Sequence, residues 1–149
     1  MKIYNMDIEF KESTYVEGIF SGKGTGVRVI YNNNELNFEL MFTEISKQMI
    51  VYRNNKRINA LIHGTVCAIR ICGEESILAS SFCDSGDIFD MLVGEKLSFC
   101  KAWKLFYTKI PECFNSRVSS IFKVVYAYIL KCNSTYNMSN NCYTIHNCN

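Results

Sequence analysis

The chain has 149 residues, 48% of them hydrophobic and 13% aromatic, with 16 Lys and Arg against 14 Asp and Glu for a net charge of +2. Those totals fit one domain whose core needs no metal or disulfide support, and they exclude intrinsic disorder. So small a net charge also excludes a protein that holds nucleic acid or membrane by its overall field alone.

Residues 1–83 read as strands. KIYNMDIEF alternates apolar and polar residues, STYVEGIFSG follows, and VRVIYNNNELNFELMF has a hairpin signature, with asparagines that tolerate positive φ at the turn. KQMIVYRNNKRINALI repeats the arrangement around RNNK, and TVCAIRICGEESILASSF pairs two apolar runs across a glycine-containing turn. Five to seven antiparallel strands are therefore expected before any helix. SGKGTG (21–26) lacks the spacing and the following helix of a phosphate-binding loop, and reads as a glycine-rich turn or bulge between strands.

After Cys83 the period changes to that of a helix. Ser85 or Asp87 can cap it, and Asp87 and Asp90 suit its positive end. Phe89, Leu92, Val93, Leu97, Cys100 and Trp103 form the expected apolar face, and Pro111 ends the helix. Val118, Ile121, Phe122, Val125 and Ile129 mark a second helix, which also carries Val124, Tyr126 and Tyr128 on its other sides. A helix apolar nearly all round is central or lies in a subunit interface, and a homo-oligomer contact through Ile121, Val125, Tyr128 and Ile129 is expected. The fold class is thus α+β, an antiparallel sheet followed by two C-terminal helices. Residues 1–132 form one domain, and residues 133–149 an Asn- and Cys-rich tail.

MKIYNMDIEF carries no apolar signal region, and the longest apolar run, IFKVVYAYIL, is too short to span a bilayer. No membrane partner and a cytoplasmic location are expected, with the eight cysteines as reduced thiols. The tail's Cys132, Cys142, His146 and Cys148 are zinc-type ligands, but their spacings match no common finger, so no cofactor is expected. His63 reads as a half-buried strand residue. No nucleophile–base grouping, paired-carboxylate motif or metal-ligand spacing stands out, which points to a non-enzyme.

Four features could bind a ligand. Arg53, Lys56 and Arg57 crowd one hairpin tip, where guanidinium groups can hold phosphate. Arg28 and Arg70 sit inside apolar strands and each needs a partner, a protein carboxylate or a ligand phosphate. Asp84, Asp87 and Asp90 exceed what one helix cap requires, so Asp84 and Asp87 could accept hydrogen bonds from ribose hydroxyls. Phe82 beside them could stack on a base.

From Asp87 to Ala102 the chain reads D-x-F-D-x-x-x-G-x-K-L-x-x-x-K-A, carried by Asp87, Phe89, Asp90, Gly94, Lys96, Leu97, Lys101 and Ala102. With the preceding hairpin, this run resembles small proteins encoded by phages and prophages of AT-rich Firmicutes. The order of a sheet then two helices is similar to the Thoeris anti-defence sponges among them. That resemblance implies a non-catalytic counter-defence protein of the host cytoplasm that sequesters a cyclic ADP-ribose-type signal at a subunit boundary. The ligand residues would be Phe82, Arg28, Arg57, Asp84 and Asp87. Two alternatives stand beside it: an anti-CRISPR-type inhibitor that docks on a host nuclease effector, through a patch including Tyr52, Arg53, Lys56 and Arg57, and a small nucleic-acid-binding module that would use the first helix's lysines, Lys96, Lys101 and Lys104.

Overall fold

The computed structural model describes residues 2–18, 20–83, 88–130, 136–137 and 142–143. Six strands, β1 (Lys2–Ile3), β2 (Met6–Glu17), β3 (Phe20–Tyr31), β4 (Asn34–Arg53), β5 (Lys56–Ile71) and β6 (Ile77–Phe82), form one antiparallel sheet in which spatial order equals chain order. Two-residue turns make this meander possible. Asn32 and Asn33 join β3 to β4, and Asn54 and Asn55 join β4 to β5, all four at positive φ between 50° and 62°. Paired left-handed residues give the turn whose twist matches that of the flanking strands, and asparagine tolerates that conformation.

Two helices follow, α1 (Met91–Phe106) and α2 (Val118–Leu130), linked by the 3₁₀ turns Tyr107–Lys109 and Glu112–Arg117. A short hairpin of β7 (Tyr136–Asn137) and β8 (Cys142–Tyr143) lies beyond them in the chain. This is the expected α+β architecture. Among the described residues no helix is long and apolar enough to cross a membrane.

The helices cover one face of the sheet, called here the inner face. Alternation and register place Ile8, Val27, Val29, Leu36, Phe38, Leu40, Cys67 and Ile69 on it, all buried with Phe99, Trp103, Phe106, Ile121 and Val125. Helix α1 lies on β5 and β6. At the other end of the sheet Tyr128 of α2 stacks on Phe10 of β2, with ring centroids 3.8 Å apart and planes within 7°.

Helix α1 begins later than its aspartates suggest, and its inward face is turned from the expected one, although Trp103 is buried and Leu92 and Cys100 pack against the core as expected. Its N-cap is Asp90, whose Oδ1 accepts a hydrogen bond from the Leu92 N–H at 2.9 Å. Ser85 and Asp87 lie outside the described residues. The buried face is Gly94, Ser98, Phe99, Ala102, Trp103 and Phe106, whereas Val93 and Leu97 remain 39% and 46% exposed. Small residues win the inner position because the helix approaches the sheet closely: a Cβ on Gly94 would sit 3.0 Å from Thr65 Cβ and against the Thr65 hydroxyl.

Helix α2 buries much of its apolar surface within the chain. Ile121, Val124 and Val125 are buried in the core, Phe122 stacks on Phe99 of α1 at 5.5 Å, and Ile129 packs against the same cluster. Two neighbours, sheet and α1, account for the burial of these residues.

SGKGTG is neither turn nor bulge but the interior of β3. Gly22, Gly24 and Gly26 alternate onto the outer face, where a Cβ on Gly24 would meet the Leu40 carbonyl at 2.8 Å and Tyr15 Cβ at 3.1 Å. Their bareness lets the sheet curl over a second small core of Tyr15, Met41 and Ala68. The curl is tied by the Tyr15 hydroxyl to Ser76 and by Arg70, which donates to the Val16 carbonyl at 2.9 Å.

Candidate functional site

The strand-to-helix junction is built mainly as a structural joint. Gly64 of β5 faces Phe82 of β6, and a Cβ at Gly64 would lie 2.6 Å from the Phe82 ring and 2.7 Å from the Ser81 carbonyl. The ring therefore covers the bare glycine, and the Lys47 ammonium stands 3.9 Å from its centroid. A cavity of about 220 Å³ lies beside it, lined by Phe82, Phe89, Asp90, Val93 and Leu97 among others. Asp84 and Asp87, expected to take hydroxyls, lie outside the described residues. The Asp90 carboxylate is occupied in part by its cap.

Arg28 has protein partners. Its guanidinium pairs with Glu35 and lies 3.4 Å from Glu9, all on the outer face of the sheet. This pairing raises the Arg28 pKa and lowers that of Glu35, through a mutual charged hydrogen bond. Arg70 likewise meets Glu39 at 2.6 Å and stacks over Tyr15. Of the two expected partner types, both arginines have carboxylates.

The three described ligand candidates, Arg28, Phe82 and Arg57, do not converge within one chain. Arg28 pairs in register with Asn37, Gly64 of the Phe82 joint with Ile45, and Arg57 with Tyr52. The fifteen residue steps of β4 from Asn37 to Tyr52 correspond to about 50 Å of strand path. Arg28 and Arg57 also occupy opposite faces.

The sheet holds a second kind of site, of which the Arg53, Lys56 and Arg57 hairpin tip is the end. Strand β3 pairs with β4 only as far as Leu40, and β6 pairs with β5 only from Gly64. The β4–β5 ladder runs on alone to Arg53↔Lys56. Residues 46–63 are therefore a two-stranded arm of about 25 Å, with no third strand described beside it. Of the chain's 16 Lys and Arg, the arm carries Lys47, Arg53, Lys56 and Arg57, and it carries none of the 14 Asp and Glu. The remainder of the chain is thus net negative by two.

Register sorts the arm's side chains. Ser46↔His63, Gln48↔Leu61, Ile50↔Asn59 and Tyr52↔Arg57 continue the inner face, beyond the reach of the helices. His63, at its base, faces Phe89 and lies 3.6 Å from Glu44. Lys47↔Ile62, Met49↔Ala60, Val51↔Ile58 and Arg53↔Lys56 form the outer face. The apolar cross-strand pairs there hold the ribbon together where no other layer does. Tyr52 is 72% exposed, and Gln48, Lys56, Arg57 and Asn59 are exposed as well. The signal was present in the sequence as two long alternating runs around RNNK with no acidic residue between Glu44 and Glu74.

An open groove of about 760 Å³ runs between the helices, lined by Trp103, Tyr107, Val118 and Phe122 with Lys104 at its edge. Among the described residues no group of three or more His, Cys, Asp and Glu could hold a metal ion. The tail ligands Cys132, His146 and Cys148 lie outside those residues, and of Cys142 only the backbone is described. Comparison with protein-family models, with curated proteins and with solved structures finds no match to this chain.

Proposed function

We propose that this is a non-catalytic binding protein whose working surface is the β4–β5 arm, and that it binds nucleic acid. The observation that carries this reading is the segregation of charge: four cations and no acid on the arm, against a net negative remainder. A near-neutral total hides a local stripe, and it is the local stripe that meets a phosphate backbone. The Arg57 fork and the Lys56 ammonium at the exposed tip are suited to phosphate oxygens. Such a module can serve counter-defence by covering the nucleic acid that a host effector must reach.

The test is fluorescence anisotropy of a labelled 20-base-pair duplex across 50–200 mM salt. About four phosphate contacts would give a slope of log K against log salt near −3.6, and the Lys56→Ala/Arg57→Ala variant should weaken binding and lower the slope by about two. A folded protein that binds no duplex or single strand at 50 mM salt overturns the reading.

A second reading has its own observation, the cavity of about 220 Å³ at the β6–α1 junction with Phe82, Phe89 and Asp90 on its wall. It is sequestration of a cyclic ADP-ribose-type signal. That volume is below the roughly 300 Å³ at which ligand pockets usually begin, so it suits one base rather than a whole nucleotide. Thermal unfolding against a panel of cyclic and linear ADP-ribose nucleotides separates the two readings, since only sequestration raises the midpoint with such ligands.

A further inference from the structure

The nucleic-acid reading above leaves open which form is bound and whether sequence is read. We infer that the arm enters the major groove of duplex DNA with its inner face toward the base edges, and that Gln48 and Asn59 read them while Arg57 stays on phosphate. The inference rests on that reading and goes beyond it.

The argument starts from shape. The major groove of B-form DNA, about 12 Å wide, admits a two-stranded β-ribbon, whereas the deep, narrow major groove of A-form RNA does not admit side chains. Two strands about 4.8 Å apart with their side chains fill such a groove. Single strands are held on several stacked aromatic rings, and Tyr52 is the only aromatic residue of 46–63.

Chemistry then orients the ribbon. The inner face of the arm carries Gln48, Tyr52, Arg57 and Asn59, which donate and accept hydrogen bonds, interleaved with Ile50 and Leu61. Glutamine and asparagine pair bidentately with adenine N6 and N7, and apolar side chains meet the thymine methyl. The outer face between Lys47 and the tip offers Met49, Val51, Ile58, Ala60 and Ile62, with no hydrogen-bonding side chain. Along this stretch the inner face alone offers hydrogen bonds to base edges. The tip pair Arg53↔Lys56 lies on the other side of the ribbon, placed to reach the phosphates that wall the groove.

Selection from a random duplex pool, followed by sequencing, tests this. The expected result is enrichment of a core of about four to seven base pairs, the span of a 25 Å ribbon at 3.4 Å per pair. The Gln48→Ala/Asn59→Ala variant should keep its unfolding midpoint and its salt slope, yet lose about tenfold or more of the preference for the selected site. Salt-dependent binding without sequence enrichment would leave the nucleic-acid reading standing and overturn base readout. So would enrichment that the double variant retains, or tighter binding to single strands or duplex RNA than to duplex DNA. Absence of all nucleic-acid binding, with capture of a protein partner by the same arm, would overturn both.

Discussion

At the scale of single residues, the run from Asp87 to Ala102 is chiefly a set of joints. Asp90 caps α1, Ala102 is buried against the core, and Lys101 Nζ donates to the Ser80 carbonyl at 3.2 Å, tying the helix to β6. Gly94 is the tightest of them, since its missing Cβ is what lets Thr65, itself fully buried, lie under the helix. Gly94→Ala should therefore destabilise by about 1–3 kcal/mol despite the better helix propensity of alanine. Thr65→Ala should recover part of that loss. A double-mutant cycle by denaturant unfolding checks it, and additive effects would show that the two residues do not meet. Cys67 makes a second residue-scale prediction. Burial pushes its thiol far above the ordinary value, so the folded state keeps the proton while the unfolded chain releases it near pH 8.5. A raised folded pKa means stability that is whole below that pH and falls as pH rises beyond it, by up to about 1.4 kcal/mol per pH unit. Cys100 and Tyr126 are shifted the same way by burial, so the Cys67 share is the difference in slope between the wild type and Cys67→Ala from pH 8 to 10.5. Equal slopes would sink it.

At the scale of elements, the strands and their order were legible because period-two alternation and paired asparagines are local signals. Both helices were legible in existence, and the stripe of α2 from Val118 to Ile129 does face the core, but the orientation of α1 was not legible. Counting large apolar residues put Val93 and Leu97 inward, whereas the sheet accepts Gly94, Ser98 and Ala102 because helix-to-sheet distance, which no local pattern encodes, decides the fit. Likewise the glycines of β3 read as a turn because glycine breaks strands on average. Their alternation onto the outer face, under the Tyr15 and Leu40 that a Cβ would strike, is a tertiary requirement. The cations at the arm's tip were legible, but its isolation was not: its strands are ordinary, and only the lengths of β3 and β6 reveal that no described strand lies beside it. Because its residues contribute little to either core, excision of residues 48–61 in favour of an Asn-Gly turn should leave a cooperative unfolding transition within a few degrees of the full chain. Far-ultraviolet dichroism on heating measures this, and loss of the transition would mean that the arm is part of the folding unit. Ile62 is kept in that design because it is 5% exposed at the arm's base.

At the scale of the whole molecule, the question is what a helix apolar on every side implies. From sequence, α2 called for a second subunit because a two-layer domain gives a terminal helix one buried face. The curled sheet and the neighbouring α1 give it two. Ile121 and Val125 are fully buried in one chain and so cannot be shared with another, and Ile129 packs on the same cluster. Tyr128 remains half exposed, but its ring is stacked on Phe10, so its apolar face is already engaged. Removing that ring should act on the fold rather than on assembly. Tyr128→Ser is expected to lower the unfolding midpoint through the loss of about 0.5–1.5 kcal/mol of ring stacking along with part of the buried area. The mass in solution, measured by light scattering over a range of protein concentrations, should be the same for the variant and the wild type. A wild type heavier than one chain whose mass falls in the variant would place a subunit contact on this helix and return ligand binding at a subunit boundary to first place. An unchanged mass with a lowered midpoint would show that this ring serves the fold and not a subunit contact.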